Sequence, residues 1–263
     1  MSFETLLFDV EDGVGKLQLN RPDKLNSFNL KMHEELRVCM KEVATNDAIR
    51  CLLITGNGRA FCAGQDLSDR DVAPGEDAPD LGASVEKNYN PLVRSIKNLE
   101  KPVVCAVNGV AAGAGSSLAL ACDIVYAARS ASFIQSFSKI GLIPDSGGSW
   151  ALPRLVGHAR AMGMAMLAEK LPAEQAEAWG LIWKCVEDDE LMQQAEQQAR
   201  FLATQPTKGL GYLKRTLNAS LGNTLDQQLD LERDMMRIAG RSDDYREGVN
   251  AFMNKREPRF TGK

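Results

Sequence analysis

The segment from Lys101 to Ile124, KPVVCAVNGVAAGAGSSLALACDI, constrains the fold more than any other stretch. Its apolar run Val103 to Val107 lies between Pro102 and the turn pair Asn108-Gly109. A short apolar run bounded in this way predicts a buried strand. Gly109, Gly113 and Gly115 follow among alanines, and Ser116 to Cys122 predicts a helix. Strand, small-residue turn and helix in succession demand α/β packing. They also leave the first N–H groups of the helix without intrahelical partners, at its positive end. Small side chains let a ligand carbonyl or phosphate approach that backbone. Glycine and alanine serve plain helix-on-sheet packing equally well, so a binding role needs further support.

The rest of the chain fits an α/β core followed by helices. Residues 5–19 predict two strands about a turn at Glu11-Asp12-Gly13. Asn29 is an N-cap candidate for a helix reaching about Val43, with Met32, Leu36, Met40 and Val43 as its apolar stripe. Cys51 to Thr55 predicts a buried strand, and Ala60 to Leu67 a second strand running into a small-residue loop. Residues 68–83, rich in Asp, Pro and Gly, predict a mobile surface loop. A helix is expected from about Ser84 to Leu99, a strand over Ile124 to Ala127, and a helix from near Trp150. Helices at about 158–168, 173–178, 190–203, 207–220, 224–239 and 242–254 complete the chain. The expected division is an α/β core over 1–195 and a helical C-terminal region over 196–263.

Composition narrows the partners. The 263 residues carry a net charge of −4, with a pI of about 5.4. No bulk electrostatic attraction to nucleic acid or a membrane surface is expected. Six cysteines, Cys39, Cys51, Cys62, Cys105, Cys122 and Cys185, lie mostly in apolar runs and form no CxxC pair. They predict reduced, buried thiols, not disulfides or zinc ligands. The first residues show no signal-like pattern, and no apolar run approaches the ~18 residues of a membrane span. A cytoplasmic location is the expectation.

Two loops, Phe61-Cys-Ala-Gly-Gln65 and Gly109-Val-Ala-Ala-Gly-Ala-Gly115, each follow a strand and offer backbone N–H groups. Two such donors converging on one carbonyl oxygen would form an oxyanion hole. Together with Asn20-Arg-Pro-Asp-Lys-Leu-Asn26, Cys122-Asp-Ile124, Gly141-Leu-Ile-Pro-Asp-Ser-Gly-Gly148 and the segment Ala176 to Gly180, they resemble the crotonase superfamily, the enoyl-CoA hydratase/isomerase family. The resemblance covers about the whole chain. It implies a crotonase-like α/β fold of repeated ββα units with a helical C-terminal trimerisation region. It implies an acyl-CoA thioester substrate and no cofactor beyond the CoA the substrate carries. A homotrimer or hexamer follows, alone or with another crotonase-family subunit, and no metal. By position the oxyanion donors would be the main chains of Ala63 and Ala114, with Gly113 as fallback for the second.

Departures from the family pattern point to the chemistry. Hydratases carry two glutamates, at the positions of Ser117 and Phe137 here. Neither is present, so simple hydration is not expected, and Ser117 reads as a vacated position. Asp145 stands where hydratases commonly have glycine. An Asp in such a turn often caps a helix or forms an Asx-turn. In this family the resemblance implies instead the catalytic carboxylate of certain isomerases, or the nucleophile of 4-chlorobenzoyl-CoA dehalogenases. Asp145 beside Phe137 would suit a proton shuttle. Arg21, Lys24, Leu25, Gln65, Asp66 and Phe137 are the expected substrate-binding residues. His33 and His158 read as packed or solvated helix residues.

Further segments, among them Tyr89-Asn-Pro-Leu-Val-Arg94 and Gly240-Arg-Ser-Asp-Asp-Tyr-Arg-Glu-Gly248, are similar to the branch of the family that isomerises ring epoxides of phenylacetyl thioesters. That implies ring-epoxide to oxepin conversion and double-bond shifts in enoyl-CoA. A hydrolase or dehalogenase with nucleophilic Asp145, or a CoA-binding assembly partner with little activity, are the alternatives.

Overall fold

The computed structural model describes residues 3–70 and 80–263. Strand and helix alternate as the hydrophobic pattern requires. The elements run β1 (Leu6–Glu11), β2 (Val14–Leu19), α1 (Leu30–Thr45), β3 (Cys51–Gly56) and β4 (Ala60–Cys62). After the interval come α2 (Leu81–Ser84), α3 (Asn90–Asn98), β5 (Val103–Val107), β6 (Val110–Ala112), α4 (Ala114–Ala121), β7 (Ile124–Ala128) and β8 (Ser132–Ile134). Then follow α5 (Gly148–Val156), α6 (His158–Leu167), β9 (Leu171–Pro172), α7 (Ala173–Ala178) and β10 (Lys184–Val186). The chain closes with α8 (Leu191–Thr204), α9 (Thr207–Ser220), α10 (Leu225–Ala239) and α11 (Asp243–Met253).

Two sheets share the strands. One has the order β1-β2-β3-β5-β7-β10, and the other β4-β6-β8-β9. The pairs β3–β4, β5–β6 and β7–β8 each send their first strand to the larger sheet and their second to the smaller one. Each pair leads on to a helix, so the repeated ββα plan is present. Strands β3 and β5 are buried along their whole length, as parallel strands covered on both faces must be.

Where the chain crosses between sheets, asparagines fill the backbone valences that no ladder can satisfy. Fully buried Asn26 donates to Asn57 O at 2.9 Å and Ala60 O at 2.8 Å, and accepts from Arg21 N. Asn108 accepts from Gly56 N at 3.1 Å and donates to Gly58 O at 2.8 Å. Each bond pairs a backbone group that would otherwise be costly to desolvate.

Most expected elements occur within a few residues. Asn29 caps α1 by accepting from Met32 N at 2.9 Å. Three expectations shift. The helix after Gly113 starts at Ala114 and not Ser116. The expected loop at 68–83 is partly helical, with a 3-10 turn over Leu67–Arg70 and α2 at Leu81–Ser84; residues 71–79 lie outside the described residues. Helix α2 joins α3 through a π-helical turn at Val85–Tyr89. The expected domain division at 195/196 falls inside α8, which packs on β3, β5 and β7. Five cysteines are buried, none is in a disulfide, and burial pushes the thiols of Cys39, Cys51 and Cys62 up to about 12. Among the described residues no helix is long and apolar enough to cross a membrane.

Candidate active site

Two segments meet at closer range than side chains allow. Strand β4 runs into Ala63-Gly64-Gln65, while β6 runs through Gly113 into α4. Gly64 has φ +91°, and a Cβ on it would lie 2.9 Å from Ala112 O and 3.4 Å from Ala114 N. A Cβ on Gly115 would lie 2.2 Å from Cys62 O. The first turn of α4 therefore sits directly against the loop after β4, with its N-terminal N–H groups at the positive end of the helix.

Neither Ala63 nor Gly113 presents its amide to a ligand. Ala63 N donates to Leu25 O at 2.9 Å, and Gly113 N donates to Ile134 O at 2.9 Å. Both expectations are thus corrected, because a donor committed to a buried carbonyl cannot also meet a substrate oxygen. Gln65 is the amide that the strand geometry turns elsewhere. Phe28 N donates to Gly64 O at 2.7 Å, and Asp66 N donates to Phe28 O at 2.9 Å, forming a parallel bridge. Alternation along an extended chain then directs the Gln65 N–H away from Phe28. Ala114 is buried in the first turn of α4, and its N lies 3.4 Å from where a Cβ on Gly64 would stand. Period-two alternation counted back from Asp66 was the available sequence signal for Gln65.

Around this cradle the vacated glutamate positions hold a buried hydroxyl and a ring. Phe137, in the 3-10 turn Ser136–Ile140, is buried, and its Cζ lies 3.8 Å from where a Cβ on Gly113 would stand. Ser117 Oγ lies 2.6 Å from the corresponding point on Gly148, the first residue of α5. Asp145 is half-buried in the turn entering α5. Its carboxylate accepts from Ser146 Oγ at 2.9 Å, and its main-chain carbonyl accepts from Gly148 N at 2.8 Å. Ser146 and Gly147 both have positive φ, +52° and +78°, which reverses the chain sharply after Asp145. The N-cap of α5 is Gly147, which makes no side-chain bond to the helix.

The expected substrate-binding residues divide. Arg21 and Asp66 bind each other at 2.9 Å, and Arg21 also donates to Ser27 O at 2.7 Å. Both are largely buried, so they lock the 20s loop to the 60s loop. Bonds from Ser68 and Arg21 hold the Asp66 carboxyl below its ordinary range. The Gln65 side chain is fixed too: Nε2 donates to Phe28 O and Asp66 O, and Oε1 accepts from Tyr89 at 2.5 Å. Leu25 takes a left-handed conformation at φ +49° while its carbonyl receives the Ala63 amide. Lys24 alone among the expected cations is exposed to solvent. His33 is buried, with its ring stacked on Phe28 at 5.1 Å and edge-on to Tyr89 at 4.5 Å, and His158 is exposed at the start of α6.

Comparison with known proteins decides the family. The family model described as enoyl-CoA hydratase/isomerase matches residues 9–263. The chain belongs to this family. Among relatives, it is 63% identical over 260 residues to the 1,2-epoxyphenylacetyl-CoA isomerase of Escherichia coli, covering 99% of each chain. It is 33% identical to the trans-2-decenoyl-[acyl-carrier-protein] isomerase of Streptococcus mutans over 100% of each. The crystal structure of an enoyl-CoA hydratase from a Polaromonas species superposes with a TM-score of 0.91 at 34% identity, covering 97% of this chain and 99% of that one. The crotonase fold and its helical C-terminal part are therefore shared.

Gly115→Ala tests the close approach on which the cradle depends. The added methyl meets backbone atoms that cannot rotate away. The expected loss is at least the ~1–3 kcal/mol typical of overpacking. Urea unfolding of the variant checks this, and wild-type stability would show that the two segments need not touch.

Proposed function

We propose that this chain is an acyl-CoA isomerase that converts ring 1,2-epoxyphenylacetyl-CoA to its oxepin isomer and moves double bonds in enoyl-CoA from the 3- to the 2-position. One observation carries this reading: the cradle is retained, while a lone carboxylate, Asp145, replaces the paired glutamates of hydration. The name of the E. coli relative supports the ring-epoxide substrate.

The thioester oxygen sits between the amides of Gln65 and Ala114. Asp145 removes a proton from the carbon next to the thioester, and the electron pair moves onto that oxygen. Two preorganised donors stabilise the enolate as its charge develops. In the ring epoxide, the carbon–carbon bond shared by the two rings breaks to give the seven-membered oxepin with both C–O bonds kept; as the carbonyl re-forms, the enolate pair moves into that ring and Asp145 returns the proton to a ring carbon. In a 3-enoyl-CoA, the pair shifts the double bond and Asp145 returns the proton further along the chain. Substrate and product have the same atoms, so no co-reactant is required, and no cofactor beyond the CoA of the substrate is invoked. Buried Phe137, packed on Gly113, keeps water from the enolate. Lys24 is the candidate partner for CoA phosphate, since Arg21 is committed to Asp66.

The assembly we propose is a trimer or a hexamer of two trimers. Helix α10 supports it, because Leu225, Leu229 and Met236 are 73%, 51% and 73% exposed in the single chain. Light scattering should give about three or six times the 28.7 kDa chain mass. A monomer at micromolar concentration would contradict this.

Asp145→Asn should lose isomerase activity while CoA binding survives. The amide is nearly isosteric but cannot take a proton near neutral pH. General acid–base groups contribute about 10²–10⁴-fold in rate, so turnover of a 3-enoyl-CoA should fall at least a hundredfold. Retention of more than about a tenth of wild-type turnover would fall outside that range and exclude Asp145 as the base.

A further inference from the structure

Beside the Asp145 turn lies a cavity of about 240 Å³. Val93, Lys97, Ser117, Ser146, Gly147 and Trp150 contribute to its lining. For comparison, an apolar cavity of about 150 Å³ admits benzene. The space is therefore sufficient for a six- or seven-membered ring or a chain of similar bulk. Its walls are the helices α3, α4 and α5, Asn218 of α9, and the residues directly after Asp145.

Two polar groups on this cavity stand out, one buried without a hydrogen-bond partner and one half-buried beside a Trp ring. Ser117 is 1% exposed, and its Oγ makes no hydrogen bond within the protein. Lys97 makes no hydrogen bond or ion pair among the described residues; its Nζ stands 5.9 Å from the centroid of the Trp150 ring. The titratable groups near Lys97 are Asp123, Cys122 and Lys214. Asp123 is already engaged, by Lys214 Nζ at 2.8 Å and by Val103 N at 2.8 Å. Burial accordingly lowers the proton affinity of Lys97, with Asp123 opposing. Lys97 is thus not half of a structural ion pair, and Ser117 is not half of a structural hydrogen bond. Buried polar groups of a folded protein are normally satisfied. An ammonium can only donate, and a hydroxyl can donate or accept, so what the two share is a capacity to donate to oxygen.

We propose that Lys97 and Ser117 form a donor pair that selects acyl groups bearing an acceptor oxygen remote from the thioester. Resting on the isomerase reading, this adds a substrate preference to the site and gives a role to a position that the family pattern marks as vacated. An aliphatic acyl chain would leave the buried Ser117 hydroxyl unsatisfied and strip water from half-buried Lys97, whereas a ring oxygen, hydroxyl or carboxylate would meet both donors. Loss of such a partner discriminates strongly in enzyme sites built to hydrogen-bond a substrate.

Binding of saturated thioesters, which cannot be isomerised, tests the pair independently of turnover. Hexanoyl-CoA, 6-hydroxyhexanoyl-CoA and the mono-CoA thioester of hexanedioic acid are titrated calorimetrically into the wild type, Lys97→Met and Ser117→Ala. The wild type should bind at least one oxygenated probe about tenfold tighter than hexanoyl-CoA, the range of one good hydrogen bond. Preference for the hydroxyl probe identifies a neutral acceptor, and preference for the acid an anionic one. Lys97→Met should reduce the preference to under threefold, and Ser117→Ala should reduce it in part. Lys97→Gln, which keeps a donor without charge, should restore it for the hydroxyl probe if the acceptor is neutral. Equal wild-type affinity for all three probes, or a preference surviving in Lys97→Met, would overturn the proposal. An inactive wild type would refute the isomerase reading while leaving these affinities to judge the donor pair.

Discussion

The site depends on two stretches of backbone lying closer together than any side chain permits. Cys62 O occupies the space where Gly115 would carry a methyl, and Ala112 O closes on Gly64. That contact sets the start of α4 against the loop after β4, and so brings two amides from distant parts of the chain to one place. Pairing of β4 with β6 in the smaller sheet holds the approach. Arg21 with Asp66, and Asn26 with the carbonyls of Asn57 and Ala60, brace the loop from the other side. The polar residues nearest the cradle are therefore mostly structural.

In the proposed account, two side chains on this frame, Ser117 and Phe137, separate isomerisation from hydration. Paired carboxylates can position and activate water, whereas a hydroxyl and a phenyl ring cannot. On the proposed reading, what remains is a place to hold an enolate and a single group able to move a proton. The turn at Ser146-Gly147, with positive φ at both residues, directs the chain past α4, so that the two residues directly after Asp145 line the Ser117 cavity. On that reading one site could treat different acyl groups, since proton transfer next to a thioester is common to ring-epoxide isomerisation and double-bond migration.

Much of this was legible in the sequence, for identifiable reasons. Helices such as Thr207–Ser220 carry apolar periodicity over several turns, and Val103–Val107 is a bounded apolar run. Asp145 was conspicuous as a carboxylate in a glycine turn. The three-residue strands β6, β8 and β10 are too short to show alternation. The start of α4 was misplaced because Gly113, its N-cap, has no side chain to announce a cap. The donors were misassigned at Ala63 and Gly113 because an amide's direction depends on the partner of its neighbour, here Phe28 for Gln65 and Ile134 for Gly113. Lys97 was not legible at all, since its partial burial arises only when α3 packs near Trp150.

The central claim is that Asp145 takes a proton from the carbon beside the thioester while Gln65 and Ala114 hold the enolate. Exchange of the acyl methylene protons of phenylacetyl-CoA in deuterated buffer, followed by mass spectrometry, reports that step without any later rearrangement. The wild type should load deuterium at that carbon, and Asp145→Asn should do so at least about a hundredfold more slowly, the general-base range. Equal exchange by the two proteins would show that another group removes the proton and would contradict the account.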